Sequence, residues 1–249
     1  MKRINFLNVP MDASTMEDTV SVIEDRIIEK KFTQHVVVNV AKLVNIQNDL
    51  VLAESIDACD IINIDGMGVV WGARFCGHEI PERVAGVDLF HSLLAMSAER
   101  GFSVFLLGAK QDVVEKTTQV VEELYKGLNV AGYHHGYFWN DEASVVKEIR
   151  ESGAKLLFVA ITSPKKENFI NKWKDDLGVS FVMGVGGTFD VVSGKVQRAP
   201  VFIQKLGLEW FYRLCQEPRR LFKRYMVTNI KFLWMIICSK LFKRDSEKF

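Results

Sequence analysis

The chain has 249 residues, 48% of them hydrophobic, and a formal net charge of +1. That is ample material for a sizeable core, and the near-neutral balance excludes a globally basic chain built to bind nucleic acid. The charge is unevenly placed: residues 200–249 carry eleven Lys/Arg against four Asp/Glu, so an acidic body ends in a basic tail that suits an anionic partner.

The four cysteines, Cys59, Cys76, Cys215 and Cys238, show no paired spacing and read as reduced residues of a cytosolic protein. The N-terminus lacks a long apolar stretch followed by a small-residue cleavage site, so no signal peptide is expected. The longest apolar run of the tail, Phe232 to Cys238, falls well short of the roughly 20 residues of a spanning helix.

In chain order, Ile4 to Val9 reads as a first strand. Asp12-Ala13-Ser14-Thr15 then supplies caps for a helix from about Met16 to Glu29, with Val20, Ile23, Ile27 and Ile28 on one face. His35 to Val40 is a β-branched run of the kind that forms a buried strand. Asn39 ends it, either as the cap of a helix through Leu43, Val44 and Ile46 or as a ligand donor.

Ile61 to Ile64 is a short apolar strand that runs into Asp65-Gly66. A carboxylate thus stands where a buried strand meets the surface, beside a glycine that lets a ligand approach. Eighteen residues on, Arg83 precedes a helical pattern, and an arginine at a helix start is a ready anion site. The plainer reading of the two is an Asp-Gly turn and a surface ion pair.

Asp88 is expected to cap the next helix, through Leu89, Leu93, Leu94 and Met96, which Gly101 ends. Ser103 to Leu107 is a strand whose Leu107-Gly108-Ala109 turn leads into a helix with Val113, Val114, Val121 and Leu124 on one face. A single glycine there is either a tight turn or a place for a nucleotide to meet backbone amides. Val130 to Phe138 includes His134 and His135, which as strand neighbours point to opposite faces and are poorly placed to share a metal.

A helix over Glu142–Glu151, a strand over Lys155–Ile161 and a helix begun by Ser163-Pro164 follow. Lys165, Lys166 and Glu167 stand at that helix's start. Val179 to Val185 is the last strand; its GVGGTF continuation lacks the spacing of a dinucleotide fingerprint. Alternating strands and helices predict an α/β fold with a largely parallel, helix-covered sheet over residues 1–197. Residues 198–249 form a C-terminal helical appendage. In it, aromatics from Trp210 to Trp234 interleave with Arg213, Arg219, Arg220, Lys223 and Arg224. Leu206–Leu214 is expected to pack on the core, and Phe222–Phe242 to lie on an anionic membrane surface.

The segments IDGMGVVW, ERVAGVDLF, VFLLGA, GYF, SPKKE, GVGGTFDVVSGKVQRAP and GLEWFYRLCQEPRR, in this order, resemble the WecG/TagA/CpsF family of bacterial glycosyltransferases. The resemblance runs from residue 39 to about residue 224. It implies a Rossmann-like fold and transfer, with inversion, from a UDP-sugar to a polyprenyl-diphosphate-linked sugar at the inner face of the cytoplasmic membrane. It implies Asp65 as the base and Arg83 as its partner in catalysis. It sets Lys166 at a site used near substrate, and Arg213 and the Arg219, Arg220 and Arg224 group toward the diphosphate. The further candidates for substrate binding are Asn39, Gly66, Gly108, Glu167, Gly186, Gly187, Asp190, Arg198 and Glu209. Val37 stands where the family usually has threonine, and Thr162 and Lys166 where it commonly has glycine and glutamine. These departures bear on the choice of sugar.

The residues support the same chemistry by themselves. Inverting transfer needs a base for the acceptor hydroxyl and positive charge for the departing diphosphate. No DxD motif is convincing, so arginines and helix starts take the place of a metal, and no cofactor is expected. Self-association stays open. Two other classes also remain: a Rossmann-type dehydrogenase using the Gly108 or Gly186 turn, and a non-catalytic peripheral membrane protein.

Overall fold

In the computed structural model, which describes residues 1–246 and side chains as far as Leu241, eight strands form one sheet. Residues 247–249 of the expected appendage, and the side chain of Phe242 at the end of its expected membrane stretch, lie outside the described residues. The strands are β1 (Lys2–Phe6), β2 (Val9–Ala13), β3 (Thr33–Val38), β4 (Ile61–Ile64), β5 (Ser103–Gly108), β6 (Asn129–His134), β7 (Leu156–Ala160) and β8 (Phe181–Gly184). Their order is β1-β2-β4-β3-β8-β7-β5-β6, and every pair is parallel except β1 with β2. The fold is α/β, as the alternation of elements predicts, and Rossmann-like, as the resemblance implies.

The first strand needs correction. Ile4–Val9 is not one strand but the junction of two, because Leu7 and Asn8 both take left-handed backbone angles (φ 52° and 62°). A two-residue hairpin turn of type I′ requires such angles at both central positions, and leucine gives no sign of them.

Between the strands run α1 (Met16–Ile28), α2 (Val40–Ile46), α3 (Leu50–Asp57), α4 (Met67–Phe75), α5 (Gly86–Arg100), α6 (Gln111–Leu124), α7 (Glu142–Ser152), α8 (Lys165–Trp173) and α9 (Thr188–Val192). Thr15 and Asp18 close a reciprocal cap on α1, and Asp49 caps α3, a helix without counterpart in the sequence reading. Side chains alternate across the sheet, so its two faces carry separate cores. On one face, Phe90, Phe158, Phe181 and Phe189 pack with α1, α5, α6 and α9. On the other, α2, α3 and α4 cover the β1–β4 end, while α7 and α8 cover the β5–β8 end.

The tail forms α10 (Val201–Lys205), α11 (Glu209–Gln216) and α12 (Pro218–Ser246). Its packing is close to the reverse of the expectation. No residue of α10 or α11 is buried, and Leu206 and Phe211 are exposed. In α12, by contrast, Leu221, Thr228, Phe232 and Ile236 make a buried stripe at helical spacing. Phe232 meets Phe6 edge-on, with ring centroids 6.4 Å apart. Gly72 lets α12 come this close: a Cβ there would stand 2.7 Å from Ile236 Cδ1. The opposite stripe, Phe222, Met226, Ile230, Leu233, Trp234, Ile237 and Leu241, faces outward. Among the described residues no helix is long and apolar enough to cross a membrane.

Below the sheet's rim, His35 is buried, with Nε2 2.8 Å from Asn63 Oδ1 and Nδ1 without a hydrogen-bond partner. Asn63 donates its amide to Ser14 and Thr19, so its oxygen accepts from the histidine. Burial, with Lys42 nearby, pushes the imidazole down to about 4 against the pull of Asn63 and Asp12. Below pH 6.5 the unfolded chain takes up a proton that the folded protein refuses until about pH 4. Stability is therefore expected to fall as pH drops through that window, by about 3 kcal/mol from this group. Urea unfolding of the protein and of His35→Gln at several pH values checks this: the variant should show a flatter decline, and an identical decline in both would refute the assignment.

Candidate active site

The parallel sheet brings the carboxyl ends of β3, β4, β8, β7 and β5 to one rim, where open α/β sheets bind ligands. At the end of β3 the Asn39 side chain caps α2 by accepting from the Lys42 amide at 3.1 Å. Beside it, Asp65 extends β4 by one residue, its amide donating to Val38 at 3.0 Å. Gly66 lies against Asn39, since a Cβ there would stand 3.4 Å from Asn39 Cβ. The chain then returns: the Val84 amide donates to Ile64 at 2.9 Å, which lays Arg83 alongside the end of β4.

Asp65 is thus held at the start of α5, where the Gly86 amide donates to its carboxylate. Burial raises its pKa above the ordinary value and Glu209 adds to the rise, while Arg83, Arg213 and the Gly86 amide oppose it. The balance is a carboxylate more basic than usual that is still surrounded by donors.

Glu209, at the first turn of α11, gathers three guanidinium groups. Its Oε2 lies 3.3 Å from Arg83 Nη1, and its Oε1 lies 3.4 Å from Arg213 Nη2 and 3.6 Å from Arg198 Nε. Arg198 also grips Asp88 with two bonds, of 2.5 and 2.8 Å. Burial acts to raise the Asp88 carboxyl, but the Arg198 bonds hold it below its ordinary value. Asp88 therefore is not the helix cap expected of it; the residue at that position is Ala85, without a side-chain bond, and Asp88 stands within the first turn.

The sequence model of the Glycosyl transferase WecG/TagA/CpsF family matches residues 4–246. The chain belongs to this family. It is 32% identical over 219 residues to an N-acetylglucosaminyldiphosphoundecaprenol N-acetyl-beta-D-mannosaminyltransferase of Bacillus subtilis (strain 168), covering 86% of this chain and 83% of that one. A protein of the same name from Bacillus spizizenii (strain ATCC 23059 / NRRL B-14472 / W23) is 38% identical over 165 residues, 66% of this chain and 64% of the other. The match makes the dehydrogenase reading unnecessary, and the structure adds to that. Gly108 (φ 126°) is demanded by packing, because a Cβ would stand 2.4 Å from the Ala160 carbonyl oxygen.

The rim thus brings together Asn39, Asp65, Gly66 and Arg83, and the tail adds Arg198, Glu209 and Arg213. Gly186 and Gly187 sit at the end of β8 with open space where a Cβ would project, so a ligand has room there. Asp190 pairs with Lys195 at 3.3 Å.

Four expected residues are engaged with other groups of the protein. Arg220 pairs with Glu217, and Arg224 lies over the Tyr225 ring at 5.1 Å, both exposed on α12. Lys166 and Glu167 are buried at the start of α8, with the Lys166 stem packed against Gly184 at the end of β8. There Glu167 Oε1 receives both Lys42 and Lys166 at 3.1 Å. Burial pushes Lys166 down to about 8, whereas the two lysines outweigh burial and hold Glu167 at about 2. Sequence reasoning missed Lys42 and the Asp88–Arg198 pair. Residues 110 apart leave no local signal of contact.

Proposed function

We propose that the protein is an inverting glycosyltransferase that moves a sugar from a UDP-sugar to a polyprenyl-diphosphate-linked sugar, in the synthesis of a bacterial cell-surface polysaccharide. The observation that carries this reading is Asp65: a carboxylate of raised pKa at the sheet's rim, one helix start away from Arg83 and within the field of Arg213. The names of the two Bacillus relatives support an N-acetylhexosaminyl donor and a lipid-linked N-acetylglucosamine acceptor.

In this mechanism the acceptor hydroxyl gives its proton to Asp65 as its oxygen attacks the anomeric carbon. The bond from that carbon to the UDP oxygen breaks on the opposite side, which inverts the configuration. Arg83, Arg198 and Arg213 stabilise the charge that gathers on the departing diphosphate. The outward stripe of α12, flanked by Lys223, Arg224, Lys231 and Lys240, suits docking at the inner face of the cytoplasmic membrane, where the acceptor's diphosphate would lie.

The test is incubation with a panel of UDP-sugars and a short-chain lipid-linked N-acetylglucosamine, with UDP release measured with and without EDTA. UDP-N-acetylmannosamine is the expected donor, and turnover should survive the chelator because the arginines supply the positive charge. UDP release from no member of the panel would refute the reading. Loss with EDTA and recovery with Mg²⁺ or Mn²⁺ would refute the arginines' part in it.

A further inference from the structure

We infer that Glu209 is a built-in stand-in for the substrate's diphosphate, occupying the arginine cluster until that ligand displaces it. The inference rests on the reading above that this cluster takes a diphosphate. It deepens that reading by giving the free enzyme its own competing anion.

The contacts themselves favour displacement. Charge-assisted bonds between guanidinium and carboxylate run to about 2.7–2.9 Å. Arg198 meets that standard with Asp88, at 2.5 and 2.8 Å. Glu209 does not meet it with any of its three partners, at 3.3, 3.4 and 3.6 Å. Two oxygens are stretched among three guanidinium groups, and Arg198 Nε, though buried, has no hydrogen-bond partner. A diphosphate has more oxygens, more charge and a longer span, so it can satisfy at close range what one carboxylate satisfies loosely.

The surroundings let the side chain move while the backbone stays. Glu209 is largely covered but its side chain keeps 13% exposure, so it has an edge toward solvent into which to swing. Just before it, Gly207 is wedged against α4, where a Cβ would stand 2.8 Å from the Trp71 ring. That contact keeps the start of α11, and Arg213 one turn on, beside the rim when Glu209 swings out. Charge balance gives the device a purpose. With Glu209 in place, Asp65, Asp88 and Glu209 face Arg83, Arg198 and Arg213 in equal number. The resting site is therefore neutral, and a small monovalent anion gains little by entering.

Two diphosphates meet this enzyme, that of the nucleotide and that of the lipid-linked acceptor. Binding of UDP and of a short-chain alkyl-diphosphate sugar, each measured calorimetrically on the full chain, separates them. Glu209→Gln should bind at least one of them roughly tenfold tighter than wild type. The ligand that gains is the one that displaces Glu209. Glu209→Asp keeps the charge but withdraws it by one methylene, and should tighten the same ligand by a smaller factor. Arg83→Gln should weaken it. Equal or weaker binding of both ligands by Glu209→Gln overturns the inference. So does tightening by Glu209→Gln with none by Glu209→Asp, which would mark a remote effect of charge. If Arg83→Gln changes neither affinity, the cluster does not take a diphosphate, and both readings fail.

Discussion

Asp65→Asn is expected to lower sugar transfer by about 10²–10⁴-fold, the usual contribution of a general base, while leaving the protein folded and able to bind UDP-sugar. The fold has little reason to object. Asparagine keeps the shape, its side-chain oxygen can still accept from the Gly86 amide, and it carries no charge to desolvate. Arg83 retains Glu209 at 3.3 Å. What is lost is the acceptor for the hydroxyl proton. The pH profile gives a second reading of the same residue. The base works only when ionised, so the rate should rise with pH through the pKa of Asp65. That limb should lie above the ordinary carboxylate range, because burial and Glu209 raise the group more than Arg83, Arg213 and Gly86 lower it. Single-turnover rates across pH, with melting temperatures and UDP-sugar affinities of both proteins, check the claim. Turnover within a factor of two or three of wild type would remove Asp65 from the mechanism.

The strands of the sheet were legible because parallel strands covered on both sides appear as unbroken apolar runs. Leu156–Ala160 is such a run, and all of it is buried. Asp65 was legible for a related reason, since a carboxylate that follows such a run at once must surface at the rim. Long-range polar pairing was not legible. Asp88 two residues into a helix has the signature of a cap, and nothing near it in the chain announces Arg198. Lys166 and Glu167 show the same limit: charged residues at a helix start suggest a ligand site, yet here the one glutamate pairs with both Lys166 and Lys42 beneath the surface. The Leu7–Asn8 turn stayed hidden because only Asn8 is of a type that favours left-handed angles, while Leu7 gives no sign of them. In the tail the difficulty was of another kind. An apolar helix with two stripes shows that both want cover, but periodicity alone does not say which stripe the protein covers.

That ambiguity makes α12 the place where fold and membrane attachment can be separated, one stripe at a time. Phe232 is 4% exposed and Trp234, two residues along, is 67% exposed. Phe232→Ala should destabilise the protein by about 3–5 kcal/mol, the range for emptying a buried aromatic site, because it opens a cavity between Phe6, Gly72 and Ile236. Trp234→Ala should change stability by no more than about 0.5 kcal/mol, since the ring has little protein to lose. It should instead weaken binding to vesicles containing phosphatidylglycerol, where an aromatic anchor beside Lys231 and Lys240 meets an anionic interface. A truncation after Tyr225 cannot draw this distinction, for it takes away Phe232 and Ile236 together with the outward stripe and so unroofs the core. Chemical unfolding and vesicle sedimentation of the two point variants do draw it. If Trp234→Ala binds vesicles as wild type does, the outward stripe is not the anchor. If Phe232→Ala is as stable as wild type, α12 does not depend on the contact with β1 and α4, and its packing on α2 holds it to the body.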